Sequence, residues 1–171
     1  MYPLERGRHG GGRGARRLAR IAIIAGMYAV LTVMPPFSSI SYGQIQVRVS
    51  EAMTVLPYIT GDAIYGLWLG CVLANIASPF FAYDVTLGAG ATLLAAYLTS
   101  RAPRESMAPL PPVIINGLVV ATYVAGLSGV PYLPVAMYIA AGEMIACYGL
   151  GYPLLRFISR NPRARRIVSG E

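Results

Sequence analysis

The chain has 171 residues, of which 56% are hydrophobic and 12% charged, with a mean hydropathy of +0.56. No ordinary soluble domain hides that much apolar surface, so a water-soluble enzyme is excluded and an integral membrane protein is indicated. The net charge of +7 comes from 14 arginines, 13 of them in three clusters that flank apolar stretches; this is the positive-inside pattern of membrane loops, not the basic face of a nucleic-acid binder.

In chain order, residues 1–14 read as a disordered basic leader, because glycine and arginine dominate and nothing apolar recurs. A first span runs from Leu18 to Met34 and runs into Pro35-Pro36 with no cleavage site of the signal-peptide kind. Phe37 to Val47 mixes Ser, Tyr and Gln with β-branched residues and reads as an amphipathic loop or short extended segment. The second apolar segment, Val49 to Ile59, is short for a crossing and is expected to be a short helix starting at Ser50. Thr60-Gly61-Asp62 turns the chain into a third span, Ala63 to Ser78, broken by Pro79. A fourth, Val85 to Ser100, is expected to be capped by Asp84, whose carboxylate suits the positive end of a helix dipole. The fifth runs from Pro112 to Leu127 and the sixth from Val135 to Leu155, before an arginine tail.

Arginine clusters precede span one, follow span four and follow span six, which is self-consistent only if the 49–59 segment counts as a crossing. The expected fold is therefore an all-α integral membrane protein of six transmembrane helices, the second one short. Both termini are cytoplasmic, in a multi-pass arrangement in the cell membrane. The transmembrane domain covers residues 15–158 and a basic cytoplasmic tail residues 159–171.

Chemistry is sparse. Cys71 and Cys147 lie inside apolar stretches and imply no disulfide; the one histidine, His9, has no ligand partners, so no metal or cofactor is expected. Phosphate loops and the common hydrolase motifs are missing. Ionisable residues within spans are functional candidates because burying them in lipid is costly. Glu143, in the middle of span six among small residues, is the foremost ligand candidate. Arg48 and Glu51 flank the start of the short helix, either as an exposed ion pair or as ligand contacts. Asn75 and Trp68 share a stripe on span three, either core or a stacking surface. Asn116 on span five is a helix-to-helix hydrogen bonder or a ligand contact, and Asp84 a cap or a ligand contact. On span one, Ala22, Ala25, Gly26 and Ala29 belong to a small-residue stripe that either packs within the bundle or docks a partner subunit.

Gln46-Val47-Arg48-Val49-Ser50-Glu51-Ala52 followed by Val55-Leu56-Pro57 resembles the signature of the QueT family, the predicted substrate-binding subunits of energy-coupling factor importers, assigned to queuosine precursors. The similarity continues through Gly66 to Asn75, Asp84 to Tyr97, Gly142-Glu143 and Cys147-Tyr148. The fourth-span block departs from the family at Leu87-Gly88-Ala89, where Phe-Gly-Ser is usual. The resemblance implies a six-helix subunit that takes up a 7-deazaguanine base from outside and works with a transmembrane coupling subunit and two ATPases. It also implies docking through the small-residue face of span one, and a non-enzymatic role for the chain itself. Three rival classes are a binding subunit for a different vitamin-like heterocycle, a membrane-embedded enzyme, and a membrane scaffold without ligand. The enzyme reading wants a second catalytic group near Glu143, for which the sequence offers no candidate.

Overall fold

The computed structural model describes residues 11–35, 38 and 47–170, and those residues form helices and turns without a strand. Residues 1–10 of the expected leader and nearly all of the expected 37–47 loop lie outside the described residues. Helix α1 spans Gly11–Val33, so residues 11–14, read from sequence as leader, form its first turn. A 3-10 helix follows at Val49–Tyr58, then α2 at Asp62–Asn75. Helix α3 runs Phe81–Ser100, α4 Leu110–Ser128 and α5 Tyr132–Arg160, and a short α6, Pro162–Ser169, closes the chain. The Asn161 side chain caps α6 by accepting from the backbone N–H groups of Arg163 and Ala164.

Among the described residues, three helices are long and apolar enough to cross a membrane: Phe81–Ser100, Glu105–Ser128 and Tyr132–Arg160. The expected six crossings are therefore not six membrane-length helices. The 49–58 segment departs most from expectation. It is wound as a 3-10 helix, and Ser50 through Pro57 are all buried, so it is a central strut wrapped by protein rather than a lipid-facing crossing. Winding at about 2.0 Å per residue rather than about 1.5 Å lets ten residues cover roughly 20 Å. Pro57 has no N–H to donate, and Thr54 returns its hydroxyl to the Glu51 carbonyl at 2.6 Å, which helps satisfy a backbone that lacks the usual α-helical partners.

Helices α1 and α2 run parallel. Arg20 meets Asp62, Ile24 meets Gly66, and Ala25 and Tyr28 meet Gly70, the numbers rising together along both helices. Consecutive parallel helices require the chain to return between them, and the 3-10 helix completes that return. The approach is close enough to need glycine: a Cβ on Gly66 would lie 2.8 Å from Ile24 Cβ, and one on Gly70 2.8 Å from the Ala25 carbonyl oxygen. Glycine permits such contact because lipid supplies no hydrophobic drive and helices must instead gain van der Waals surface. Thereafter neighbours are antiparallel, with Asn75 against Asp84, Thr99 against Ala108 and Asn116 against Glu143.

The described arginines of the three clusters collect at one end of this bundle. Arg17 and Arg20 both bind Asp62 at the start of α2, with Arg20 Nη2 at 2.6 Å. Ala102 packs with Leu155 beside Arg156, and Ala164 and Val168 of α6 pack on a cluster that includes Ile24 and Ile158.

Candidate functional site

Helix irregularity converges on one place. Helix α3 is π-wound over Asp84–Gly88 and α5 over Ile145–Gly151, while the 3-10 helix begins at Val49. Departures from α-helical winding of this kind recur at functional sites because they re-aim side chains and free backbone groups. The π-wound turn of α3, through Gly88, and the start of the 3-10 helix, through Arg48 and Glu51, border a cavity also lined by Thr92, Asn116, Val120, Tyr123, Ile139 and Glu143; Ile139 and Glu143 precede the π-wound part of α5.

The 3-10 winding explains how Arg48 and Glu51 arrive together. With about three residues per turn, positions three apart stack in one row, so Arg48, Glu51 and Thr54 point the same way; an α-helix would fan them apart by about 60° per step. Glu51 is 1% exposed, so the pair is not the exposed ion pair that the sequence allowed. Its Oε1 accepts the Tyr28 hydroxyl from α1, whereas its Oε2 has no hydrogen-bond partner among the described residues. Thr32 fixes the neighbourhood by bonding both the Tyr28 carbonyl, at 2.9 Å, and the Ser50 hydroxyl, at 2.6 Å.

The opposite wall is the α4–α5 hairpin. Asn116 Nδ2 donates to Glu143 Oε1 at 2.8 Å, and Asn116 Oδ1 is buried without a hydrogen-bond partner among the described residues. Glu143 Oε2 receives the Cys147 thiol, at 3.5 Å. That thiol also lies 3.5 Å from the Glu51 carbonyl and 3.4 Å from the Thr54 hydroxyl, so it bridges the two walls.

Asn75 and Asp84 stand one layer back. Asn75 Nδ2 donates to the Asp84 carbonyl at 2.9 Å and to Cys71 Sγ at 3.2 Å. The Asp84 carboxylate accepts hydroxyls from Ser78 and Tyr123. The expectation of Asp84 as a helix cap is corrected: α3 already begins at Phe81, so Asp84 lies inside it, and its carboxylate turns to side chains instead of the helix end. Gly88 separates this group from the cavity, since a Cβ there would sit 3.1 Å from the Tyr123 hydroxyl and 3.4 Å from Asp84 Oδ1.

Of the seven ligand candidates, Arg48, Glu51, Asn116 and Glu143 share one cavity. Trp68 does not join them; it is 40% exposed on the outward face of α2 with Tyr65 and does not line that cavity. Sequence reading missed Tyr28, Thr92 and Tyr123, whose hydroxyls gave no signal among other apolar-span residues. The small-residue stripe of α1 divides. Ala25 is buried against α2, while Ala22 and Gly26 face outward, with nothing within 4 Å of a Cβ built on Gly26, and Ala29 is half-buried. Ala25 is thus a packing residue of the bundle and not part of an outward docking face.

The cavity is narrow: about 10 Å³ of it is open to a water-sized sphere, roughly the room one water needs. Its chemistry is acceptor-rich and framed by the apolar side chains of Val120 and Ile139. Such an arrangement offers hydrogen-bond acceptors to N–H donors entering the cavity.

The profile of the family described as QueT transporter matches residues 18–160. The chain belongs to the QueT transporter family. It is 39% identical over 77 residues to the queuosine precursor transporter QueT of Lactococcus lactis subsp. cremoris (strain MG1363). That alignment spans 45% of each protein, so the chain matches just under half the length of this curated relative. No solved structure matches the chain. Family and apolar helices together make this a membrane protein.

Proposed function

We propose that the chain is the substrate-binding subunit of an energy-coupling factor importer, capturing a queuosine precursor, a 7-deazaguanine base, from outside the cell. A separate transmembrane coupling subunit and two ATPases complete the importer. The observation that carries this reading is the pair of buried, unpartnered acceptors, Glu51 Oε2 and Asn116 Oδ1, on opposite walls of one cavity that also holds Glu143. Unsatisfied buried acceptors are costly in a finished protein, so a ligand rich in N–H donors is the natural partner. A guanine-like edge offers adjacent N–H donors that a carboxylate accepts side by side, and the Arg48 guanidinium can donate to a ring carbonyl. The relative's name supports the same ligand class. The cavity must widen to admit a bicyclic ring.

The arginine end of the bundle faces the cytoplasm by the positive-inside rule, with both termini on that side and six passes in all. The parallel α1–α2 pair supports the parity, because the 34–61 segment has to carry the chain back. Cysteines introduced in the leader, at 101–105 and in the tail should resist an impermeant thiol reagent in intact cells; labelling of the 101–105 site alone contradicts six passes. The outward residues Ala22 and Gly26 suit close approach of the coupling subunit. Leucine at either position should abolish assembly and leave isolated ligand binding intact, while unchanged assembly removes that docking face from the reading.

The ligand itself is tested by Glu143→Gln, which conserves volume but replaces an acceptor-only carboxylate with an amide. Calorimetric titration with a 7-deazaguanine base should show a loss of about 30-fold to 1000-fold in affinity. Wild-type affinity eliminates Glu143 as an anchor, and a different heterocycle co-purifying with the protein replaces the ligand class.

A further inference from the structure

A slot runs between α1 and α5 at the arginine end of the bundle, remote in character from the polar central cavity. Buried Ile24, Met53, Leu56 and Ile158 form its floor, and Ile23 and Met27 are exposed along its lip. It encloses about 260 Å³, and among the described residues on its lining only Arg20 is polar. From Arg20 to Met27 the slot follows two turns of α1, roughly 10 Å at about 1.5 Å per residue, against about 15 Å for the hydrocarbon of one bilayer leaflet. A lining with no polar group along that length has nothing to orient a water-soluble ligand. It suits a hydrocarbon chain lying along the helices.

Charge is concentrated where Arg20 and α6 close the slot. Helix α1 carries Arg13, Arg16, Arg17 and Arg20, and the last turns of α5 with α6 carry Arg156, Arg160, Arg163, Arg165 and Arg166; neither 11–33 nor 144–170 contains an acid. Among the described residues, ion pairing at this end is confined to Asp62, which takes Arg17 and Arg20. Helix α6 joins the remaining charge to the slot. Its Ala164 and Val168 pack on the cluster that holds Ile24 and Ile158, and Ile167 stands exposed at the mouth. Arg163 has Arg166 and Ile167 as its helix neighbours three and four residues on. We infer that the slot and α6 together bind one anionic phospholipid, with an acyl chain between α1 and α5 and the phosphate held by Arg163 and Arg166. Guanidinium forks match a phosphate, and the same arginines repel a second copy of this basic surface. Chain and headgroup of one lipid thus answer both halves of the site. None of this depends on which ligand the central cavity takes.

Native mass spectrometry of the full-length protein, exchanged in detergent with equimolar phosphatidylglycerol and phosphatidylcholine of identical chains, reads the site directly. One phosphatidylglycerol per monomer should be retained, about 10-fold to 30-fold in preference to phosphatidylcholine, or roughly fivefold for each arginine. Arg163→Gln combined with Arg166→Gln should bring the two lipids to near parity. Ile23→Trp, which fills the slot from its lip, should cut retention of both lipids. All three positions are exposed, so these variants leave the buried core untouched. Equal retention of the two lipids by the wild-type protein overturns the inference, and so does a dimer that carries no lipid. A preference that persists in the arginine double variant overturns the assignment of the phosphate to α6. Retention untouched by Ile23→Trp puts the lipid elsewhere on the protein and overturns the slot as its site.

Discussion

The two walls of the cavity are built by opposite strategies. The α4–α5 wall is made of long, apolar, membrane-length helices joined by a tight turn, and it holds Glu143 with an amide from its own hairpin. The 3-10 wall is short, entirely enclosed, and holds Glu51 with a phenol borrowed from α1. On the first wall lipid and neighbouring helix impose the same apolar requirement, and a single polar pair is set into it. On the second, backbone winding itself depends on contacts with at least three other elements. A site of this kind has one wall that folds by its own pattern and one that takes shape only when the bundle closes around it.

Substitutions can separate the walls. The largest difference is expected in ligand affinity: Glu51→Gln alters a cavity carboxylate oxygen that has no hydrogen-bond partner among the described residues, and should cost on the order of 100-fold in a calorimetric titration with a 7-deazaguanine base. Asn116→Asp, on the other wall, sets two carboxylates against each other and tests whether that wall tolerates further negative charge; it should weaken binding less than Glu51→Gln does. The reverse order would make the hairpin the dominant wall.

Packing should distinguish the walls next. A Cβ on Gly151 would lie 2.9 Å from the Ala52 carbonyl oxygen of the 3-10 helix, a backbone atom that cannot step aside. Gly151→Ala should therefore destabilise the protein by about 2 kcal/mol. Gly117 is the counterpart in the hairpin, where the nearest atom to a new Cβ is Ala140 Cβ at 3.1 Å; Gly117→Ala should shift the thermal midpoint in detergent much less. Equal shifts would erase the contrast in rigidity between the walls.

Removing the borrowed donor is a smaller perturbation. Tyr28→Phe leaves both Glu51 oxygens without a hydroxyl donor and should cost about 1.5 kcal/mol of stability, read as a lowered midpoint of unfolding. Smallest of all is Cys147→Ala. The thiol touches both walls but only with long, weak contacts, so the loss should stay under about 1 kcal/mol; a larger loss would mean that the bridge, and not each wall's own bonding, holds the cavity together.

Much of the hairpin wall was legible from the sequence. Apolar length marked the spans that became α3, α4 and α5, and a lone carboxylate and amide within such spans marked Glu143 and Asn116 as unusual. The other wall was legible only as a motif. Resemblance drew attention to Arg48 and Glu51, yet nothing in residues 49–58 announced 3-10 winding, which arises where helices already in place leave a narrow channel. Helix α2 shows a different limit. It is apolar on all sides, so Trp68 and Cys71 looked alike as candidates for the interior; lipid is as apolar as the core, and hydropathy cannot say which face meets which. Asp84 was misread for a local reason, since Pro79 suggested a helix starting later than Phe81.

A ten-residue 3-10 helix also stores length. Rewound as an α-helix, Val49–Tyr58 would shorten from about 20 Å to about 15 Å and rotate its leading residues out of their common row. Its two ends are fastened to the same neighbour, Glu51 to Tyr28 in the later part of α1 and the following turn, through Asp62, to Arg17 and Arg20 in its earlier part. Any stroke of the strut thus pulls on α1 at two points about two to three turns apart, on the helix whose far side carries Ala22 and Gly26. Strut and helix form a bow and its string, so occupancy at one side chain is felt as tension along the outward face.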